Sequence, residues 1–185
     1  MLIKDIILVA SSLLNRQDVK VYLEEENVKD YSTLNSVNNL LQCANLVINE
    51  LACTYIPMVK TEKVKTEDGK IYYSALTETP LEIKDVFDDY GNSLLYIVHH
   101  EYVDVGLNEV NVEYKYLPTN YSINEKIGYE ERQVSARVLA YGVCSEFLLM
   151  EKAFDESVMW HERYMQELSL ICTPKNAKIK GRFFC

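Results

Sequence analysis

The spacing of hydrophobic residues changes twice along this chain, and this change most constrains the fold. Near both ends apolar residues recur every three or four positions, as on one face of an α-helix. Between residues 58 and 118, short runs of alternating apolar and polar residues are separated by turn residues, as in β-strands. The sequence therefore predicts an α+β protein: a four-helix bundle core with an inserted antiparallel β-meander and an extended C-terminal tail.

The length of the chain favours one domain. We expect it to span residues 1–173 of the 185, which is enough chain to bury a substantial core. Its helices are predicted within 2–55 and 128–172, and the β insertion within 58–118. The segment 19–27 fits either a short helix or an extended turn.

Two segments carry more specific local predictions. Asp68-Gly69 predicts a tight hairpin turn, because this pair tolerates positive φ angles. The last helix is predicted from Phe154 to Cys172. Its packed face is expected to hold Val158, His161, Met165, Leu168 and Cys172, bordered by Trp160, Tyr164 and Ile171.

Motifs for catalysis are absent from the sequence. It contains no GxSxG, GxGxxG, P-loop or HExxH pattern. His99 and His100 are neighbours in a predicted strand, so their side chains point to opposite faces. We interpret them, with Glu101, as polar residues at a strand end, and we expect no enzymatic activity, cofactor or metal.

The cysteines and the N-terminus argue against a zinc-binding, disulfide-rich, secreted or membrane-spanning protein. The five cysteines are widely spaced without a CxxC pair, which indicates neither a zinc site nor a disulfide framework. The apolar N-terminus contains Asp5 and has helical spacing, so we interpret it as a packed helix rather than a signal peptide. No apolar run reaches the length of a membrane span.

Residues 174–185, here called the tail, differ from the rest of the chain in charge. The net charge is −9, yet the tail holds four basic residues and no acid, so the remaining 15 basic and 28 acidic residues leave the body near −13. An acidic body disfavours nonspecific DNA binding. We interpret the tail as a docking arm, with a frayed chain end as the alternative. Its predicted steering charges and apolar anchors are Lys178, Lys180, Arg182, Phe183 and Phe184.

The element order and the tail resemble the tailed-phage head–tail adaptor (connector) family. The helix pair at 135–147 and 154–164 is similar to the aromatic-rich C-terminal hairpin of such proteins. The ending 178–184 is similar to the basic-then-aromatic termini of small phage neck proteins, although Phe-Phe-Cys stands here where Arg-Arg-Trp is frequent.

This resemblance implies a structural virion protein of the phage neck, made in the host cytoplasm. It implies a twelve-subunit ring that contacts the portal protein and a tail or stopper protein, with no membrane involved. DNA would pass through an acidic lumen without specific binding. The candidate lumen or surface acids are Asp88, Asp89, Glu130 and Glu131.

Two other functions stay open from the sequence. The first is a small acidic interaction protein, such as a DNA mimic or an inhibitor of a host factor. The second is a small hydrolase that uses His99, His100 or the carboxylates of the loops.

Overall fold

The computed structural model describes residues 1–25 and 30–172, so the predicted tail lies outside the described residues. Over these residues the protein is α+β, with five helices and two small antiparallel sheets. The helices are α1 (Ile3–Leu13), α2 (Gln17–Glu24), α3 (Tyr31–Glu50), α4 (Ala136–Met150) and α5 (Phe154–Cys172). The strands are β1 (Met58–Lys65), β2 (Lys70–Tyr72), β3 (Thr79–Phe87), β4 (Ile97–Val98), β5 (Tyr102–Asp104) and β6 (Glu109–Leu117). Residues 19–24 of the segment that the sequence left open thus belong to a short helix, α2.

Helix α4 is the centre of the helical body. Every residue from 138 to 148 except Glu146 is buried, because α1, α3 and α5 all pack on this helix. Gly142 allows α3 and α5 to pack closely against α4. A Cβ atom at this position would lie 2.9 Å from Val47 Cγ1 of α3 and 3.3 Å from the ring of Tyr164 of α5.

Two serines join α4 to α5. The Ser157 hydroxyl donates to the Ser145 carbonyl over 2.9 Å, and the Ser145 hydroxyl donates to the Ser157 carbonyl over 3.1 Å. Both side chains are buried. The reciprocal bonds satisfy these hydroxyls where the two helices are in contact, which fixes the position of α5 along α4.

The predicted four-helix bundle core is wrong. Helix α5 packs principally on α4 instead of completing a set of four mutually packed helices. Part of the core is closed by other elements: Met58 of β1, with Ile127 and Tyr129 of the loop before α4, is buried in the same apolar cluster as the helices, and Tyr116 of β6 packs against it. An apolar stripe shows that a helix face will be covered, but it does not show which element covers it.

The β region, here called the β-arm (residues 58–117), is not the predicted meander. Its sheets have the strand orders β1-β6-β3 and β2-β5-β4, so most paired strands are not consecutive in sequence. Both sheets contribute to one small buried cluster: Val64, Ile71, Leu76, Val86, Val103, Val110, Val112 and Tyr114. The β-arm therefore has a core of its own.

The turn predicted at Asp68-Gly69 is confirmed. Both residues have positive φ angles, 52° and 76°, and Glu67 and Lys70 exchange two backbone hydrogen bonds of 2.9 Å across them. The strands beside the turn nevertheless enter different sheets. A Cβ atom at Gly69 would lie 3.1 Å from the Cα of Gly106, so this turn also needs glycine for a close approach to another loop.

Candidate interaction surfaces

The two neighbouring histidines lie in the turn between β4 and β5. The ring of His99 stacks on Tyr102 at 4.5 Å between centroids. The backbone N–H of His99 donates to the Tyr102 carbonyl over 2.9 Å, and the His99 backbone carbonyl accepts from the Tyr73 hydroxyl over 2.8 Å. His100 is exposed beside it. Within residues 1–25 and 30–172, no group of three or more His, Cys, Asp or Glu side chains could hold a metal ion.

The acids predicted at Asp88 and Asp89 organise the loop after β3. One Asp88 oxygen accepts from the N–H groups of Tyr90 and Asn92 at 2.9 and 2.8 Å, and the other accepts from the Asn92 side chain at 2.8 Å. The Asn92 side chain and these amides hold the pKa of Asp88 below its ordinary value. Asp89 pairs with Lys63 at 2.9 Å, and this contact lowers its pKa. Both carboxylates therefore have a structural role.

The second acidic pair lies in another part of the fold, in the loop before α4. Glu130 pairs with Arg132 at 2.6 Å, and both side chains are exposed. Glu131 is exposed beside them. The role of all four acids in a lumen stays a prediction.

The predicted docking residues of the tail are Lys178, Lys180, Arg182, Phe183 and Phe184. All five lie outside the described residues. Their role as charges and anchors for a partner stays a prediction.

Burial suppresses thiol chemistry at two cysteines. Cys43 and Cys144 are buried in the helical body, and this burial raises the pKa of each thiol to about 12. Neither therefore supplies a reactive thiolate near neutral pH. Cys53 and Cys172 are exposed.

A first group of exposed apolar side chains lies on the β-arm, on both faces of β4 and in the loops before it, and is here called the arm tip. Its members are exposed and large: Tyr90, Leu95, Ile97 and Val98. Leu95 is 97% exposed and Tyr90 is 91% exposed. Strand β4, which carries Ile97 and Val98, is an edge strand of its sheet. Apolar side chains on an exposed sheet edge are typical of a contact with another chain.

The second apolar surface lies where α4 turns into α5 and is here called the turn surface. It consists of Leu149 and Met150 at the end of α4 and Phe154 and Val158 at the start of α5, all of them exposed. The Sγ of Cys43 lies 3.4 Å from the Sδ of Met150, so this surface adjoins α3.

The packed face of α5 differs from the prediction. The buried residues are Ser157, Trp160, Tyr164 and Leu168, so Trp160 and Tyr164 are central rather than bordering. Val158 and His161 are exposed instead. The apolar stripe of α5 is wide, and α4 covers only one half of it. We call the other half, Phe154, Val158, His161 and Met165, the outer stripe.

Sequence reasoning missed both apolar surfaces. The apolar run 94–98 predicts a strand, but only Ile97 and Val98 form one, and the run does not indicate that Leu95 and Ile97 are left exposed. For the turn surface, the sequence does contain an indication: the apolar stripe on α5 is wider than one neighbouring helix can cover.

Neither a family model nor a curated protein matches this sequence. In the part of the chain that the structure describes, no helix is sufficiently long and apolar to cross a membrane.

Proposed function

We propose that this chain is the head–tail adaptor of a tailed phage, a structural virion protein whose subunits form a ring between the portal and the tail. One observation carries the proposal: a single subunit exposes two apolar surfaces built from unlike elements, the arm tip and the turn surface. In a ring, each contact joins different faces of two neighbours and closes by rotation. A subunit with two unlike surfaces meets this requirement.

The β-arm separates the two surfaces. Strand β6 packs against the helical body at Tyr116 and reaches the loop of the arm tip at Asn111, whose side chain donates to the Asp88 carbonyl. The five residue steps from Asn111 to Tyr116 span about 17 Å of extended chain. A neighbour on one surface therefore leaves the other available for the next subunit.

The charge of the body suits a passage for DNA. Acidic residues exceed basic ones by 13 outside the tail, and a polyanion is repelled by such a wall. Four of the six lysines of the β-arm are paired with carboxylates, among them Lys63 with Asp89, Lys84 with Glu113 and Lys115 with Glu82 at 2.9, 3.1 and 2.5 Å. These pairs weaken attraction for a phosphate backbone.

In this proposal the tail attaches each subunit to the portal. Its basic residues steer it to an acidic surface, and Phe183 and Phe184 supply the apolar anchors. Twelve such attachments act together, which raises the strength of binding without a larger contact on any one subunit. The opposite side of the ring receives the tail or stopper protein.

Sedimentation of the purified chain with rings of its cognate portal protein tests the proposal. The full-length chain should co-sediment, and a chain truncated after Pro174 should not. Leu95→Ser should impair ring closure, since it removes an arm-tip side chain. Leu170→Ser is the matched control, because Leu170 is 68% exposed but lies outside both surfaces. Unchanged portal binding by the truncated chain would contradict the anchor role of the tail.

A DNA mimic would also be acidic, and the location of the protein separates the two functions. An adaptor occurs in purified particles in fixed proportion to the portal, whereas a mimic is absent from them or occurs in variable amounts.

A further inference from the structure

We propose that the outer stripe of α5 is the docking site for the tail of the same chain in the unassembled subunit. The stripe consists of three apolar residues and one histidine, the helix that carries it is acidic, and the chain continues from its C-terminal end into a basic segment that contains Phe183 and Phe184. The contact itself is independent of the proposed function, but its consequence for assembly rests on that function.

The outer stripe, which we also call the track, is a line of side chains along α5. With 3.6 residues per turn, positions 154, 158, 161 and 165 lie along one line of α5. Phe154 and Val158 are 60% and 57% exposed. Farther along, Met165 is half-buried, and the Tyr55 hydroxyl lies 3.7 Å from its Sδ. The track therefore starts at the turn surface and continues towards the π-helical turn Leu51–Tyr55 that follows α3.

The charges along the track are opposite to those of the tail. Residues 151–172 hold five acids and two bases, whereas the tail holds four bases and no acid. Asp155 and Glu162 border the outer stripe on its solvent side, by helical geometry. Arg163 lies over the Trp160 ring at 4.9 Å and projects from the opposite side of the helix from Phe154. Asp155 and Glu162 therefore present two carboxylates to a basic segment that lies along the outer stripe, whereas Arg163 is close to Glu156 and Glu167 on the other side.

The length of the tail matches the track. From Phe154 to Cys172 the helix rises about 27 Å. The eleven residues from Cys172 to Phe183 extend to at most about 36 Å, which leaves chain for a reversal at Thr173-Pro174. Phe183 and Phe184 therefore reach Phe154 and Val158, and Ile179 falls opposite the middle of the stripe.

The consequence for assembly follows from the overlap of the two surfaces. A docked tail covers Phe154 and Val158, which also belong to the turn surface. A free subunit then presents neither a portal anchor nor a complete ring contact. Portal binding removes the tail from α5 and exposes the turn surface, so the ring forms on the portal and not in solution.

A spin label on Cys185 of the isolated full-length chain tests the contact without any portal protein. The background is Cys53→Ser with Cys172→Ser, since these two are exposed while Cys43 and Cys144 are buried. In isotope-labelled protein we expect the amide signals of residues 154–161 to broaden. In a mixture of spin-labelled unenriched protein with enriched protein lacking the label, we expect no broadening.

Variants sharpen the test. Val158→Ser and the pair Phe183→Ser with Phe184→Ser should abolish the broadening, whereas Leu170→Ser, on the other side of α5, should leave it unchanged. Broadening in the mixed sample would assign the contact to a second copy and overturn the proposal. Absence of broadening at 154–161 in the intact labelled chain would overturn docking altogether. Neither result bears on portal binding, which is measured separately.

Discussion

The helical body and the β-arm are stabilised in different ways. The body encloses a large apolar cluster to which α1, α3, α4 and α5 all contribute. The β-arm's own cluster has only eight buried apolar residues, and a small sheet needs a hydrophobic face or a packing partner to be stable in water. In the β-arm, side-chain hydrogen bonds and ion pairs between the strands add to this small apolar core. We therefore expect the stability of the body to depend mainly on tight packing, and the stability of the β-arm to depend on polar contacts and on pH.

One carboxylate is central to the polar contacts of the β-arm. Glu62 of β1 accepts from the Tyr114 hydroxyl at 2.7 Å, from the Thr77 N–H at 2.9 Å and from the Thr77 hydroxyl at 2.8 Å. These bonds join β1 and β6 to the segment before β3. The body offers the contrasting case of Tyr164, a buried tyrosine whose hydroxyl has no hydrogen-bond partner among the described residues.

The largest expected effect is a cavity in the body. Leu139 of α4 is fully buried, so Leu139→Ala should lower the free energy of unfolding by about 2–5 kcal/mol. Urea denaturation followed by Trp160 fluorescence measures this loss. Leu170→Ala, on an exposed site, should change it by less than about 0.5 kcal/mol. Equal effects from the two variants would contradict the packing described for α4.

A smaller effect is expected from the polar contacts of the β-arm. Tyr114→Phe keeps the ring but removes the donor to Glu62, which should destabilise the β-arm by about 1–2 kcal/mol. Amide hydrogen exchange in β3 and β6 should accelerate, with little change in α4. Tyr90→Phe is the control because that hydroxyl belongs to a 91% exposed side chain. Uniform acceleration over both regions would show that they do not differ in this way.

The pH dependence of the β-arm should be weaker than the effect of Tyr114→Phe. Burial alone would raise the pKa of Glu62, but hydrogen bonds from Tyr114 and Thr77 outweigh it and hold the pKa below the ordinary 4.5. A lowered pKa in the folded state stabilises the protein above the unfolded pKa, and this contribution is lost as the pH falls through the folded pKa. The protection of amides in β3 and β6, measured as the exchange rate relative to that of the unfolded chain at the same pH, should therefore fall below about pH 4.5.

Glu62→Gln provides the control for this pH dependence. The variant should be less stable at neutral pH, but the part of the acid response that comes from this carboxyl should disappear. An identical acid response in the variant and the native chain would show that Glu62 does not contribute.

The smallest effect is expected at Tyr164. Because its hydroxyl is buried without a partner among the described residues, Tyr164→Phe removes a desolvated polar group. Stability should be unchanged or rise by up to about 1 kcal/mol. Thermal unfolding measures the change beside Tyr114→Phe, which should have the opposite sign. A loss similar to that of Tyr114→Phe would show that Tyr164 donates a hydrogen bond after all.

Local features of the fold were predictable from the sequence, and the pairing of distant segments was not. The turn at Asp68-Gly69 depends on two adjacent residues that tolerate positive φ, so its signal is local. The pairing of β1 with β6 joins residues about fifty positions apart, for example Val59 with Lys115. The sequence of neither strand indicates which other strand it pairs with. The predicted four-helix bundle was wrong for the same reason. Met58 and Tyr129 cover part of the helical core, and both are distant in sequence from most of the helices that they contact.

The candidate surfaces were only partly accessible to sequence reasoning. The stripe on α5 was evident, but its packed half was assigned to Val158 and His161 instead of Trp160 and Tyr164. Burial of Ser157 depends on its exchange of hydrogen bonds with Ser145 of α4, which a hydrophobic pattern does not register. An exposed apolar residue such as Leu95 has the same appearance in sequence as a buried one.

Quantitative mass spectrometry of purified virions of the encoding phage tests the proposed function most directly. The account predicts that this chain is present in a fixed ratio to the portal protein, close to one adaptor subunit for each portal subunit. Absence from washed particles, or an amount that varies between preparations relative to portal, would contradict it.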